Sequence, residues 1–259
     1  MALAFIAAIA GWLSGMVVNY LSDVLPYRRS FAVPFCIQCG TPMVLVNYLF
    51  WPRQCANCGK HRSVRSWLVE IVFVGVSLWL WYGPPQTLGF ISGLILMVYF
   101  GVVTVIDLEH RLILHPVSLI GVALGAGIGI YLHGVYLTLL GGAVGFGIML
   151  ILYYLGVGYV RLITRRKRKL AEQQAVEAQE EQGEVGEGLG FGDVNLSGVI
   201  GLMLGWPGII AGLILGIILA GIASLGYILF MVLSKRYHPN MALPYGPYLV
   251  AAAVVLLYF

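Results

Sequence analysis

Residues 184–204 read EVGEGLGFGDVNLSGVIGLML. An acidic, glycine-rich run ends here, an apolar run begins, and Asp193 stands at the seam with Gly190 and Gly192 just before it. An ionisable carboxyl at the mouth of a membrane-grade segment is costly to keep there, so it is a functional hypothesis by default. The apolar side of the seam is typical of the whole chain. Of 259 residues, 60% are hydrophobic and 10% charged, against about 25% charged in ordinary soluble domains, and the mean hydropathy is +0.91. This composition excludes a soluble globular domain. It implies an all-α polytopic membrane protein, because helices satisfy their own backbone in lipid. The net charge of +4 is no nucleic-acid signal in such a chain; where each Lys and Arg falls matters more.

A spanning helix needs roughly 20 apolar residues. About eight such segments are expected, near 3–25, 67–83, 87–106, 114–132, 136–160, 193–205, 208–233 and 241–258. GPPQ at 83–86, HG at 133–134 and GWPG at 205–208 supply the breaks. The first segment lacks the basic flank of a cleaved signal, and its Gly11, Ser14 and Gly15 suit close helix packing. Charge checks the count, since all fifteen Lys and Arg fall in alternate connections. Arg28, Arg29, Arg53, Lys60, Arg62 and Arg65 lie in the first, Arg111 in the third, Arg161 and Arg165 to Lys169 in the fifth, and Lys235 and Arg236 in the seventh. The positive-inside rule makes these connections cytoplasmic and puts both termini outside. Residues 161–188 run basic, then Ala/Gln-rich, then acidic, which reads as a partly helical cytosolic linker.

The only aspartates are Asp23, Asp107 and Asp193. Asp107 closes the third expected span and Asp193 opens the sixth, so both fall at the cytoplasmic face. Two carboxyls meeting in a poorly solvated site share a proton, so that one can activate water while the other polarises a peptide carbonyl. Gly190 and Gly192 can adopt positive φ and leave room for an extended peptide. Either aspartate alone also fits a plainer reading, a carboxylate at a helix end. Asp23 is expected to pair with Arg28 or Arg29. Glu109, His110 and His115, beside Asp107, read as solvated interfacial groups.

All four cysteines lie in the first connection, as CIQC at 36–39 and CANC at 55–58. Two Cys-x2-Cys pairs, each followed by a glycine (Gly40 and Gly59), suit a structural zinc site held by Cys36, Cys39, Cys55 and Cys58. Reduced free thiols or disulfides are the alternatives, the latter disfavoured in the cytosol. His61 is a substitute ligand or a surface histidine.

GFGD at 190–193 matches the GxGD element of intramembrane aspartyl proteases, and other stretches narrow the match. These are GWLSGMVVNYLSDVLP at 11–26, the four-cysteine loop, DLEHRLILHP at 107–116, LGW at 204–206 and ALPYGPYL at 242–249, all in order. The chain resembles the type IV prepilin peptidases over essentially its whole length. The resemblance implies that Asp107 and Asp193 are catalytic and cut a prepilin leader. It implies a site-shaping role for Pro244, Gly246 and Pro247. In many members S-adenosylmethionine then serves to N-methylate the new terminus, and Glu70 in RSWLVE matches a glutamate linked to that step; a carboxylate near a helix N-terminus is the other reading. The chain departs from the family at Asn195-Leu196, where Lys-Leu is usual. It departs at Arg53, where a glycine linked to methyl transfer is frequent, and in the wording of the first helix, which keeps Gly15, Asn19 and Pro26.

The expected organisation is a first helix (1–25), a zinc loop (26–66) and a membrane peptidase core (67–259) that contains the linker. The expected function is an inner-membrane aspartic endopeptidase acting on prepilins or pseudopilins among membrane lipids. The alternatives are a peptidase without methyl transfer and a proton-coupled transporter using the same aspartates.

Overall fold

A computed structural model describes residues 2–36, 38–50, 53–173, 190–234 and 244–259. The linker beyond residue 173, and Lys235 and Arg236, therefore lie outside the described residues. The fold is all-helical: α1 (Ala2–Arg28), α2 (Leu45–Leu49), α3 (Val64–Tyr82), α4 (Gly89–His110), α5 (His115–Gln173), α6 (Phe191–Leu233) and α7 (Gly246–Tyr258). Five of these are long and apolar enough to cross a membrane. Large apolar side chains such as Phe5, Ile71, Ile91, Leu155 and Leu225 face outward, as lipid-facing residues do.

The apolar stretches of α5 and α6 run 45 and 43 residues, or about 65 Å at 1.5 Å per residue, twice the hydrocarbon thickness. Each breaks inside. α5 leaves helical geometry at Gly134 (φ 78°), and α6 at Gly205 (φ 62°) and Trp206, just before Pro207. These are the HG and GWPG breaks expected from the sequence. The first half of α6 is a 14-residue rod beginning at Phe191, and α5 continues as helix to Gln173, into the expected linker.

The chain forms two compact units, Met1–Leu124 with Ala253–Phe259, and Gly125–Ala252. In the first unit, α1 packs on α3 through Gly11 and Gly15. A Cβ at Gly11 would stand 2.5 Å from the Phe73 carbonyl oxygen, and one at Gly15 2.7 Å from the Glu70 Cα. Ser63 caps α3, accepting from the Arg65 N–H at 3.3 Å. At the end of α7, the Tyr258 hydroxyl donates to the Gly93 carbonyl at 2.6 Å.

The second unit has a seam of glycines between α5 and α6. A Cβ at Gly201 would lie 2.3 Å from the Gly141 carbonyl oxygen, and one at Gly145 2.6 Å from that of Ser197. The two backbones touch, the small-residue mode of packing in membranes. The two helix breaks also meet, since Gly205 lies against the ring of His133.

Candidate active site and metal centre

Asp107 sits in the last turn of α4, 4% exposed. The helix ends four residues later at Arg111, which turns left-handed (φ 53°) and returns its N–H to the Asp107 carbonyl at 2.9 Å. A carboxylate there faces the negative end of the helix dipole. Neither capping nor dipole explains a buried acid at that place.

Asp193 sits in the first turn of α6, 8% exposed, behind the N-cap Gly190. It faces the positive end of its helix dipole. The two aspartates belong to different units. The expectation that Gly190 and Gly192 use positive φ does not hold: Gly190 is extended (φ −75°, ψ 145°) and Gly192 is helical. What Gly190 contributes is space, for a Cβ there would stand 3.7 Å from Asp193 Oδ2. Gly190 and Phe191 are themselves exposed among the described residues, while Asp193 is buried behind them.

Pro244, Gly246 and Pro247 lead into α7. Between them stands Tyr245, half-buried and near enough to Asp193 to feel its charge. In the sequence Tyr245 is marked only by the prolines and glycine that flank it, which signal a special backbone there.

The four cysteine sulfurs all lie within 4.8 Å of one another. A tetrahedral thiolate site with metal–sulfur bonds of about 2.3 Å needs sulfurs about 3.8 Å apart. Cys36–Cys58 and Cys39–Cys55 are each 3.5 Å, and all four cysteines are free. Each pair sits on the same turn. Gly40 (φ 70°) returns its N–H to Cys36 at 2.8 Å, and Gly59 (φ 68°) to Cys55 at 2.9 Å. Each turn closes an isolated bridge, Phe35 with Pro42 and Gln54 with His61. Hydrogen bonds from Thr41 and from the Cys58 and Asn57 amides lower Cys55 to about 6. Thr41 also lowers Cys39. The Lys60 N–H pulls Cys58 down, but desolvation and the other three thiols push it further up, to about 12. These donors fit a metal ion held for structure, with no open position for catalysis. His61 is exposed and outside the cluster.

The polar groups around the cysteine lobe form two buried networks. Glu70 lies in the second turn of α3 and is buried. Its Oε2 accepts from Arg53 Nη2 at 2.9 Å and Trp12 Nε1 at 3.0 Å, and its Oε1 from Asn19 at 3.4 Å. The Arg53 guanidinium also stacks on Trp67, 4.2 Å from the ring centre. The second network centres on Asp23, which accepts from Tyr48, Arg65 and, at 3.0 Å, Arg62.

The expected pairing of Asp23 with Arg28 or Arg29 is thus replaced. Arg28 covers the Phe35 ring instead, and Arg29 is left-handed (φ 54°) just past the end of α1. Burial and then the Asp23 charge raise Tyr48 well above the usual phenol range. Glu109 pairs with Arg65, and the His110 ring packs on Tyr27 at 5.5 Å. A cavity of about 880 Å³ lies among these groups, lined by Tyr48, Lys60, Arg62, Arg65, Asp23 and Glu109 among others.

A model of the type IV leader peptidase family matches residues 94–225, which include both aspartates. The chain belongs to that family. It is 25% identical over 242 residues to a prepilin leader peptidase/N-methyltransferase of Aeromonas salmonicida strain A449, covering 89% of this chain and 73% of that protein. It is 24% identical over 245 residues to one from Aeromonas hydrophila, covering 91% and 74%. A third, from Dichelobacter nodosus, is 28% identical over 244 residues, covering 89% and 73%. No solved structure matches the chain. The family match begins after the cysteine lobe, but the matches to the three relatives extend over most of the chain.

Proposed function

We propose that this membrane peptidase cleaves the leader from type IV prepilins or related pseudopilins, with Asp107 and Asp193 as its acid–base pair. The observation that carries the reading is the pair of buried helix-end carboxyls within the segment that matches the leader peptidase family. One aspartate takes a proton from water as the oxygen attacks the scissile carbonyl. The other protonates the carbonyl oxygen. Collapse of the tetrahedral intermediate then gives the proton to the leaving amine. Asp193, facing the positive end of its helix, is the base in this assignment, and Asp107 the acid. Gly190, with no side chain beside the Asp193 carboxyl, leaves room for the extended peptide, and Pro244, Gly246 and Pro247 fix the approach of Tyr245. The substrate's apolar stem lies in the membrane and its leader on the cytoplasmic side. Both termini of the enzyme lie outside the cytoplasm of an inner-membrane protein.

Cys36, Cys39, Cys55 and Cys58 hold structural zinc, which replaces the core that so small a lobe lacks. Methyl transfer is the activity we assign away from this chain. Glu70, the residue that the resemblance links to it, already has Arg53, Trp12 and Asn19 as partners, so its carboxylate is not free to take a substrate amine.

Co-expression with a prepilin, read by mass spectrometry, tests this. Asp107→Asn and Asp193→Asn are each expected to cut leader removal by about 10²–10⁴-fold or more while still inserting, because an amide cannot exchange the required proton. Substantial turnover by either variant sinks the pair.

A further inference from the structure

The end of α4 that carries Asp107 is tied to its unit by an ion-pair bridge. Arg65, in the first turn of α3, reaches two helices at once: Nη2 donates to Asp23 of α1, and Nη1 donates to Glu109 of α4. Glu109 lies two residues beyond Asp107, and α4 ends at the following residue. A last helical turn frays unless side chains or caps hold it. Here the Arg111 N–H caps the backbone, His110 packs on Tyr27, and the guanidinium supplies the charged tie. Asp23 does not need Arg65 for its own neutralisation, since Arg62 and Tyr48 also donate to it. The arm to Glu109 therefore serves α4.

We infer that Arg65 is a positioning residue of leader cleavage: by bridging Asp23 and Glu109 it fixes the last turn of α4 and so the aim of the Asp107 carboxyl. This rests on the reading of Asp107 as catalytic. The Glu109 side chain is 40% exposed, so the tie is a weak one. Loss of aim, not of chemistry, is the expected effect, and small misplacements of a reacting group cost up to about 10²-fold. Arg65 also lines the cavity, so a direct substrate contact is the competing role, and the kinetics separate the two.

The experiment uses the full-length protein in detergent, with Arg65→Gln, Glu109→Gln, the double variant and Arg65→Lys, and a prepilin of Aeromonas hydrophila as substrate. Amide exchange over residues 104–111 is read in parallel. Arg65→Gln is expected to lower kcat by about tenfold with KM within about twofold. Glu109→Gln should do much the same, the double variant no worse than the single ones, and Arg65→Lys should recover part of the loss. Exchange at the end of α4 should quicken in each Gln variant. Unchanged exchange, unchanged kcat, a rise in KM with kcat intact, or additive losses in the double variant each overturn the inference. Asp107→Asn in the same assay keeps the two readings apart. If it cleaves normally, the catalytic assignment has failed, while exchange still reports whether Arg65 holds the turn.

Discussion

The two units hold their aspartates by opposite means. Around Asp107 the unit is tied by side chains: Arg65 joins three helices, Arg53 and Glu70 form a buried pair at 2.9 Å, and Tyr48 fastens the cysteine lobe to α1. Behind Asp193 the unit is tied by missing side chains. Gly141, Gly145 and Gly201 let α5 and α6 touch backbone to backbone, and Gly190 places no side chain against the Asp193 carboxyl. Ion pairs with an exposed member are individually weak and can be lost one at a time. Backbone contact leaves no slack, because neither partner has a flexible group that can swing aside. The side-chain ties near Asp107 should thus yield gradually to substitution and the glycine seam behind Asp193 abruptly, as should the Gly11 and Gly15 contacts of α1 with α3.

The largest effect expected from that contrast is at Gly201. Gly201→Ala places a Cβ 2.3 Å from the Gly141 carbonyl oxygen, so one helix must move. Such overpacking costs about 1–3 kcal/mol, and the shift is transmitted along the rod that begins with Asp193. The measured denaturation midpoint and the yield of active enzyme should both fall. Gly147→Ala, where an added Cβ meets nothing within 4 Å, is the control, and should be neutral or stabilising by about 0.5–1 kcal/mol. Equal tolerance of the two changes breaks the comparison.

What the sequence made legible follows the same division. The breaks at Gly134 and Gly205 were readable because glycine and proline act locally, and the four-cysteine cluster because the spacing within each pair is local. The ties of the first unit were not. Asp23 was expected to meet Arg28 or Arg29, but residues five and six apart do not share a helix face; its partners stand 39 and 42 positions away. Glu70 read either as a helix-end carboxylate or, through the resemblance, as a group linked to methyl transfer, and nothing in its neighbourhood names Arg53, which is 17 residues earlier. Tyr245 and Asp193 are likewise joined only by folding. Arginines on the same stretch look alike in sequence; only the fold shows Arg65 bridging carboxylates and Arg28 on an aromatic ring.

A middle-sized effect is expected from the cysteines. Cys36→Ser with Cys55→Ser should remove about one metal ion per chain and lower cleavage, since structural metal contributes folding energy. At matched amounts of folded protein the loss should stay well short of that in Asp193→Asn, because no cysteine reaches the reacting atoms in the proposed scheme. Acidity gives a second handle. Metal binds thiolates, and Cys55 titrates near 6 while Cys58 keeps its proton to about 12. Binding at neutral pH must therefore expel a proton from Cys58, and below about pH 6 from Cys55 too, so affinity rises with pH. Metal retention measured against a competing chelator at pH 5.5 and 7.5 checks the sign. A loss of cleavage as complete as in Asp193→Asn would make the lobe part of the proteolytic machinery.

The smallest effect on cleavage is expected at Arg53, where it sharpens what the first unit's side chains do. Arg53 holds a left-handed backbone (φ 55°), a conformation glycine adopts without strain, so Arg53→Gly relieves the chain locally. It also removes the partner of Glu70, and breaking a buried pair costs about 3–5 kcal/mol when nothing replaces it. Trp12 and Asn19 still donate to the carboxylate, so the net loss of stability should fall below that range. Cleavage per folded molecule should stay within about twofold, because the substitution touches neither aspartate. The informative readout is the cleaved product. Wild-type product should carry no added methyl, whereas Arg53→Gly, supplied with S-adenosylmethionine, should give a methylated fraction once Glu70 has lost its cationic partner and keeps only the neutral donors Trp12 and Asn19. A methyl already present on wild-type product would show that the Arg53–Glu70 pair does not close the site. A variant that folds, cleaves and still never methylates would place the block elsewhere than at Arg53.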